Sequence, residues 1–437
     1  MSKIRVKYFG PIREGRLDQD GWIDIRKVTL FLGDQGTGKS TLAKVLATMT
    51  WMEKALVRGD ETVENLARPE KFKELLQYHR LQNYFTLQTE LSYWGDAVRI
   101  AYINGQMSVQ RLGQESYQLP QVMYVPAERN FISYIEQPDL LNLAAGNLKE
   151  FLAEFDRARK ALNEPLHLPF GQCQLMRDES TGGLTLAGQG ASGYQLRLSE
   201  TASGYQSSVP LLMVTKHLVD ARMRLLGEEN SHKSMIQELS PRQRALLEDA
   251  FTQADIADKL KGINVSTKDS EDIKGVVEKA KEVVALVNSQ FARFKKTHLI
   301  NIVEEPEQNL YPDSQWKMLE SLLILNNRIV DNKLVMTSHS PYLINVLSIA
   351  IQTHALLEKL SNGHAHEAEL RERIQVIFET SAATAGSEVV VYELSPDGQV
   401  KQLPAPHGVP TDENLLNLGL RKCNEAFDAL FEIEDDL

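Results

Sequence analysis

Residues 28–41 read VTLFLGDQGTGKST, an apolar run followed by a glycine-rich turn and the start of a helical pattern. The turn, Gly33–Ser40, matches G-x-x-x-x-G-K-[ST] between a strand and a helix, which is the context that a phosphate-binding loop requires. Glycines let backbone N–H groups converge on phosphate oxygens, and the helix N-terminus adds positive potential. A glycine turn that only caps a helix is the less favoured alternative. The stretch therefore predicts a P-loop at the end of a buried strand.

Each position of this loop has an expected role. The predicted nucleotide-binding residues are Gly33, Asp34, Gln35, Gly36, Thr37, Gly38, Lys39, Ser40 and Thr41. Lys39 supplies a point charge for the phosphates, and the Ser40 hydroxyl is placed to coordinate Mg²⁺. Thr41 is expected to face the phosphates nearby.

A second strand-like run ends in two acids. Residues 299–305 read LINIVEE, and a metal-holding acid at the end of a neighbouring strand is what a P-loop needs. Glu304 is expected to hold the Mg²⁺ shell, and Glu305 to polarise the attacking water as a general base. A solvated acidic strand end is the alternative, but the EQNLYP segment that follows after Pro306 favours a Walker B motif.

A third strand, Lys333–Met336, runs into the sequence TSHSP at residues 337–341. A histidine at a strand tip beside a nucleotide can sense the γ-phosphate or steady the catalytic water, so His339 is predicted to be catalytic with Glu305. A lone histidine is more often structural. Its position after the P-loop and the paired acids favours the functional interpretation.

The order of these motifs carries a resemblance to a family. GDQGTGKS, then SETASGYQ at residues 199–206, then IVEEPEQNLYP and TSHSP resembles the ABC-type ATPase heads related to SMC proteins and OLD-family ATPases. The family signature is L-S-G-G-Q; here Ser203, Gly204 and Gln206 match, and Tyr205 departs. The resemblance implies ATP and Mg²⁺ as cofactors and two ATP molecules held between head-to-head subunits. Ser203 and Gly204 would then reach the γ-phosphate of the opposing subunit.

One departure from transporter ATPases indicates a branch of this family. The usual glutamine after the strand is replaced by VPAERN at residues 125–130, which resembles the OLD-type and phage-defence branch. For Glu128 and Arg129 a surface ion pair is an equal alternative. Together with chain length and the YELSPDG stretch at 392–398, the sequence most resembles the AriA family, the ATPase component of PARIS anti-phage systems.

That resemblance implies a set of partners. The chain would form a homo-oligomer built from head-to-head dimers, sense a phage-encoded trigger protein, and control a separately encoded TOPRIM-type nuclease. No nuclease centre of its own is expected, because no D-x-D pair follows His339. The alternative is an SMC-like DNA-repair or DNA-tethering ATPase. Its only local hints are basic clusters at 157–160 and 295–296, so direct DNA binding is left open.

The predicted fold class is α/β: an ABC-type P-loop ATPase head with a mixed or parallel sheet, helical insertions and a short coiled-coil arm. The N-terminal part of the head covers residues 1–225, the arm 226–296, the C-terminal part of the head 297–350, and a hairpin with a helix, a possible partner-docking region, 351–437. Residues 52–91 are predicted to be a polar helical insertion.

The arm is predicted from apolar residues that step by four and three between Ile273 and Phe294, a heptad seam. The buried face of an ordinary surface helix is an equal alternative.

Composition sets outer bounds on function. The 437 residues carry 48 Lys+Arg against 59 Asp+Glu, a net charge of −11, so the chain as a whole does not attract polyanions. No apolar run approaches the roughly 18 residues of a membrane-spanning helix. Two cysteines form no disulfide framework. We expect a cytoplasmic ATPase with no membrane partner.

Overall fold

The structure is a computed structural model of the chain. It describes residues 2–113, 117–135, 143–178, 180–188, 193–227, 244–245, 247–249, 252, 291, 294–360 and 366–435. The predicted arm helix between Ile273 and Phe294 lies almost wholly outside these residues, so both interpretations of it stay predictions.

Strands and helices alternate along most of the described chain. The strands are β1 (Lys3–Phe9), β2 (Gly15–Arg16), β3 (Ile23–Asp24), β4 (Val28–Gly33), β5 (Phe85–Trp94), β6 (Val98–Ile103), β7 (Gln106–Arg111), β8 (Leu119–Val125), β9 (Leu166–His167), β10 (Cys173–Arg177), β11 (Leu184–Gly188), β12 (Gln195–Arg197), β13 (Lys296–Glu304), β14 (Lys333–Ser338), β15 (Val389–Leu394) and β16 (Gln399–Gln402). The helices are α1 (Lys39–Arg58), α2 (Val63–Leu66), α3 (Pro69–Gln77), α4 (Asn147–Lys160), α5 (Ser203–Gly227), α6 (Pro312–Asn327), α7 (Pro341–Leu360), α8 (Glu367–Ile377) and α9 (Leu415–Asp435).

A seven-stranded mixed sheet, in the order β2-β16-β15-β4-β14-β13-β8, forms the centre of the described fold. Strands β8, β13, β14, β4 and β15 are mutually parallel, and β16 returns antiparallel to β15. All six residues of β4 are buried, as expected of a parallel strand covered on both faces. The α/β fold class with a mixed sheet is therefore confirmed.

Two smaller antiparallel sheets flank the central one. The first, β3-β1-β5-β6-β7, packs over α1; the second, β12-β11-β10-β9, precedes α5 in the chain. Helix α1 is buried on most of its surface because it lies between the central sheet and the first antiparallel sheet. It ends at Gly59, whose positive φ of 84° allows the αL cap that closes many helices.

The hydrophobic interior divides into two clusters, one on each face of the central sheet. Phe31, Ile302 and Val335 contribute to the cluster beneath α1, whereas Leu30 and Val303 join the cluster that α4 to α7 cover. Alternate strand residues face opposite sides, so the central strands carry apolar residues toward both faces of the sheet. The second cluster extends into the four-stranded sheet, and it joins that sheet and the start of α5 to β4, β13 and β14.

Several element boundaries differ from the sequence prediction. The predicted helical insertion over 52–91 was wrong at both ends, since α1 continues to Arg58 and the chain enters β5 at Phe85. The first residues of β5 lack the apolar alternation of a strand, and Leu87 is fully solvent exposed. Phe85 pairs with Phe9 of β1, and regular pairing resumes only at Glu90, so the residues between them form a bulge. The C-terminal hairpin was predicted correctly, and β15 pairs in parallel with β4 inside the central sheet.

No helix in the described part of the chain is long and apolar enough to cross a membrane.

Tyr392 links the C-terminal hairpin to the N-terminal strands. Its ring stacks on Phe31 with centroids 5.8 Å apart, and its hydroxyl accepts a hydrogen bond from the Asp24 N–H at 2.9 Å. We predict that Tyr392→Phe lowers the free energy of unfolding by about 1–3 kcal/mol, because a shielded N–H loses its partner. Chemical denaturation checks this, with Tyr311→Phe, at an exposed tyrosine, as control. Equal stability of both variants would contradict it.

Candidate functional site: a P-loop facing two acids and a histidine

The P-loop connects β4 to α1, and its three glycines each have positive φ. Gly33 has φ 148°, Gly36 φ 75° and Gly38 φ 103°. A Cβ on Gly33 would lie 2.4 Å from the Leu394 carbonyl oxygen of β15, and one on Gly38 would lie 2.8 Å from the Ile12 side chain. Neighbouring residues therefore leave no room for a side chain at Gly33 or Gly38, whereas Gly36 has open space around it. The first N–H groups of α1 carry no side-chain cap, so they face the loop interior as donors.

Lys39 lies folded inside this loop. Its ammonium donates to the carbonyl oxygens of Gly33 at 2.9 Å and Asp34 at 2.7 Å, and it lies 3.3 Å from Nδ1 of His339. Burial lowers the pKa of Lys39 to about 8, although nearby carboxylates, Glu305 first among them, oppose the shift. The buried cation is thus held by backbone oxygens in a place where phosphate oxygens would be stronger partners.

The paired acids stand at the carboxyl end of β13, next to this loop. Glu305 Oε1 lies 3.2 Å from Nε2 of His339, so His339 connects the P-loop lysine to the second acid. The hydrogen bond from His339 lowers the pKa of Glu305, which is therefore ionised at neutral pH. Nδ1 facing an ammonium and Nε2 facing a carboxylate suit the imidazole tautomer that carries its proton on Nε2.

Glu304 points into a more enclosed pocket and is 5% exposed. Its carboxylate accepts hydrogen bonds from the Tyr124 hydroxyl and from the Ala127 N–H at 3.1 Å, and Lys44 Nζ lies 3.6 Å away. Lys44 lies on α1 one turn after Ser40. The first acid is therefore directly under the helix that starts at the P-loop.

Glu307 is a residue of this site to which the sequence analysis assigned no role. Its carboxylate accepts hydrogen bonds from the His339 N–H and the Ser338 hydroxyl, both at 2.8 Å. Burial raises its pKa, and these donors oppose the shift. Glu307 thus sets the backbone position of His339. In the sequence, Glu307 is visible as a third acid two residues after the pair. Its contact with the end of β14 can be seen only in the folded chain.

The signature-like segment forms the start of α5, which begins at Ser203. Within the chain, this start lies against the loop that follows Glu305. A Cβ on Gly204 would come within 2.8 Å of the Asn309 carbonyl oxygen, so glycine is required by this close approach. Tyr205, the departure from the family pattern, stacks on Phe170 with centroids 5.7 Å apart and lies 3.4 Å from Cys173 Sγ. Its side chain therefore anchors the helix start to the four-stranded sheet.

Arg129 is not part of a surface ion pair. It is completely buried and donates to backbone carbonyl oxygens at the end of β13 and in α5, whereas the neighbouring Glu128 is exposed. That alternative from the sequence is therefore wrong for Arg129. Local sequence does not predict this role, because Arg129 contacts Ser207 and Glu304, which lie 78 and 175 positions away in the chain.

The donor set fits a nucleoside triphosphate with a divalent cation. The uncapped helix start and the Lys39 ammonium suit phosphate oxygens, while the Ser40 hydroxyl and the Glu304 carboxylate are oxygen ligands of the kind that Mg²⁺ takes. No group of three His, Cys, Asp or Glu among the described residues is arranged to hold a metal by itself. A cation here would depend on phosphate oxygens for part of its shell.

Comparisons with known proteins give distant structural neighbours. No protein-family model and no curated protein matches the sequence. The SMC head domain from Thermotoga maritima aligns at TM-score 0.31 and 9% identity, over 79% of this chain and 90% of that one. The Pyrococcus furiosus Smc head with an extended coiled coil, bound to the C-terminal domain of ScpA, aligns at 0.34 and 8%, over 99% and 100%.

A third neighbour, the dimeric ATP-binding cassette MJ0796 bound to ADP and Pi, aligns at TM-score 0.29 and 10% identity, over 92% of this chain and 99% of that one. These scores are too low to establish a family, so the geometry of the site remains the basis for assigning function.

The lowered pKa of Lys39 predicts a pH dependence of nucleotide binding. Below about pH 8 the lysine is already charged; above it, the free protein must take up a proton before the ammonium can bind phosphates. The Kd for a non-hydrolysable ATP analogue should therefore rise by up to about tenfold per pH unit above 8. Isothermal titration calorimetry at pH 8 in buffers of different ionisation enthalpy should detect proton uptake.

Lys39→Arg is the matched control, because guanidinium stays protonated over this range. Equal proton uptake by the wild type and this variant would contradict the assignment to Lys39.

Proposed function

We propose that this protein is an ABC-type ATPase that binds ATP and Mg²⁺ between two head-to-head subunits. We further propose that it serves as sensor and scaffold of an anti-phage defence system and controls a separately encoded TOPRIM-type nuclease. The observation that carries the ATPase assignment is the continuous contact from Lys39 through His339 to Glu305 at the mouth of the P-loop. The role in defence rests on the resemblance in motif order and in the VPAERN segment at 125–130.

The chain's own residues divide the work of hydrolysis. The P-loop N–H groups and Lys39 would bind the β- and γ-phosphates, and Ser40 and Glu304 would hold the cation. Bound Mg²⁺ supplies charge neutralisation at the phosphates. Glu305, ionised and about one-third exposed, orients the attacking water and accepts its proton, and His339 holds that carboxylate in place.

The two-subunit arrangement is supported by the position of the signature-like segment. Ser203 opens the long helix α5, where N–H groups and the helix dipole favour an anion. Ser203 and Gly204 of one subunit would contact the γ-phosphate held by the P-loop of the other. ATP then links two heads, and its hydrolysis weakens that link, which makes the nucleotide state a switch for whatever is docked on the oligomer.

The DNA-tethering alternative has less support from the described residues. Arg157 pairs with Glu154, and Arg159 and Lys160 both pair with Asp156, all on α4. This basic cluster is thus largely neutralised within its own helix, and it contributes little positive field for a phosphate backbone.

We predict that Lys39→Ala abolishes ATP binding, because the buried cation for the phosphates is lost. Glu305→Gln should bind ATP normally and hydrolyse it at least about 10²-fold more slowly, because the amide cannot accept a proton from water. ATPase assays and nucleotide-binding titrations check both, with Glu358→Gln, at an exposed acid on α7, as matched control. Wild-type turnover in either site variant would refute the site assignment.

Action in trans is tested by mixing two inactive variants. Ser203→Arg keeps its own P-loop, and Lys39→Ala keeps its own signature segment, so a mixed dimer contains one complete site. We expect the mixture to recover up to about a quarter of wild-type activity, since half of randomly formed dimers are mixed and each has one of two sites. Ser203→Arg and Lys39→Ala proteins, each assayed alone at the same total concentration, are the controls. No recovery despite proven mixed dimers would contradict the trans arrangement.

The role as a switchable scaffold is tested by assembly. Wild type and Glu305→Gln, each co-expressed with the adjacent gene product, are compared by multi-angle light scattering with and without ATP-Mg²⁺. We expect ATP to produce a larger species that retains the neighbouring protein, most completely in Glu305→Gln. A monomer that retains nothing and binds DNA would favour the DNA-tethering function instead.

A further inference from the structure

We infer that Arg129 is a positioning residue that couples the signature-like segment to the catalytic acid Glu305 within one subunit, an inference that rests on the proposed ATPase function. Arg129 lies in the 3₁₀ segment Ala127–Tyr134, which we call the bridging segment. This segment follows β8 and occupies the place where the family pattern has a glutamine. One end of it lies against the end of β13 and the other against the start of α5.

The first step is the grip on the acids. The Arg129 guanidinium donates from Nη1 to the Glu304 carbonyl oxygen at 2.6 Å and from Nη2 to the Glu305 carbonyl oxygen at 2.5 Å. The planar fork of arginine matches two adjacent carbonyls, which a single ammonium cannot do with the same geometry. Burial lowers the pKa of Arg129 to about 10, so it remains charged at neutral pH.

The second step is the strained backbone that this grip supports. Glu305 has φ +44°, in the left-handed region of backbone conformation that residues other than glycine and asparagine rarely adopt. Its N–H donates to the Thr337 carbonyl oxygen at 2.9 Å, while its own carbonyl accepts from Arg129. Both ends of this residue are thus tied to different elements, and the conformation that aims its carboxylate at His339 depends on those ties.

The third step is the connection to the signature-like segment. Arg129 Nε donates to the Ser207 carbonyl oxygen in the second turn of α5 at 3.0 Å. At the far end of the bridging segment, Ser133 Oγ donates to the Gln206 carbonyl at 2.8 Å, and the Tyr134 hydroxyl donates to Gln206 Oε1 at 2.9 Å. The start of α5 cannot shift when it meets a partner subunit's nucleotide without moving this segment and, through Arg129, the Glu305 backbone.

A parallel contact strengthens this coupling from the other side. Asn309, four residues after Glu305, donates from Nδ2 to Ser207 Oγ at 2.9 Å. Ser207 therefore receives hydrogen bonds on its carbonyl from Arg129 and on its hydroxyl from Asn309. The chain on both sides of Glu305 is fastened to one residue of α5, which makes the acid's position sensitive to that helix.

The test uses Arg129→Lys in the full chain, assayed for steady-state ATP hydrolysis and for ATP affinity. We expect kcat to fall on the order of 10²-fold, because small displacements of a reacting group have effects of this size, while KM and Kd for ATP stay within about twofold. Arg157→Lys, the same change at an arginine whose side chain is 64% exposed, is the matched control and should hydrolyse normally.

Two results would overturn the inference. These are wild-type kcat in Arg129→Lys that is folded at the assay temperature, or an equal loss of kcat and ATP affinity in that folded variant. If Arg129→Lys does not fold, Tyr134→Phe decides, because Tyr134 is more than half exposed and its variant keeps the ring.

Tyr134→Phe should lower kcat about fivefold, the effect of losing one hydrogen bond, with KM unchanged. An unchanged kcat in this variant would also overturn the coupling. Absence of ATPase activity in the wild-type protein would instead refute the proposed function itself, so the two failures are distinguishable.

Discussion

The candidate site depends on the parallel register of β4, β14 and β13. Leu32 of β4 lies opposite Ser338 of β14, and Thr337 lies opposite Glu304 of β13. Because parallel strands end at the same edge, this register brings the P-loop, the histidine and the acids to one place, although Lys39 and His339 are 300 positions apart in the chain. A slip of one residue would turn each of these side chains to the other face of the sheet.

The second constraint is the way in which the helical side of the molecule is fastened to that edge. Helix α5 packs on β13 through the larger hydrophobic cluster, and its first turns are held by polar contacts to the bridging segment and Asn309. Apolar packing fixes where the helix lies, and directional hydrogen bonds fix its start relative to the acids. The combination gives the signature-like segment a defined position within the chain.

The motifs and the elements that bear them were predictable because they are local. A buried strand followed by a glycine-rich turn has few conformations available. The strands around Val303 and Val335 are predicted by apolar runs that end in polar residues. The β15–β16 hairpin was predictable because Pro396-Asp397-Gly398 favours a tight turn between two strands. Early β5 and β7 were not predictable, since their residues are largely polar. β7 becomes a strand by pairing with β6, and the start of β5 meets β1 only at Phe85, beyond a bulge.

The sequence by itself determined the P-loop motif, the order of the motifs, the strand and helix alternation that gives the α/β class, and the candidate acids and histidine, because each can be recognised from contiguous residues. Only the tertiary structure decided that Glu307 holds His339, that Tyr205 anchors α5 to the four-stranded sheet, and that Arg129 is buried against the backbone of Glu304 and Glu305. In the sequence, an arginine next to a glutamate is compatible with a surface ion pair. In the folded chain, packing of α5 against β13 removes the Arg129 side chain from water. Its hydrogen-bond partners are then backbone carbonyl oxygens.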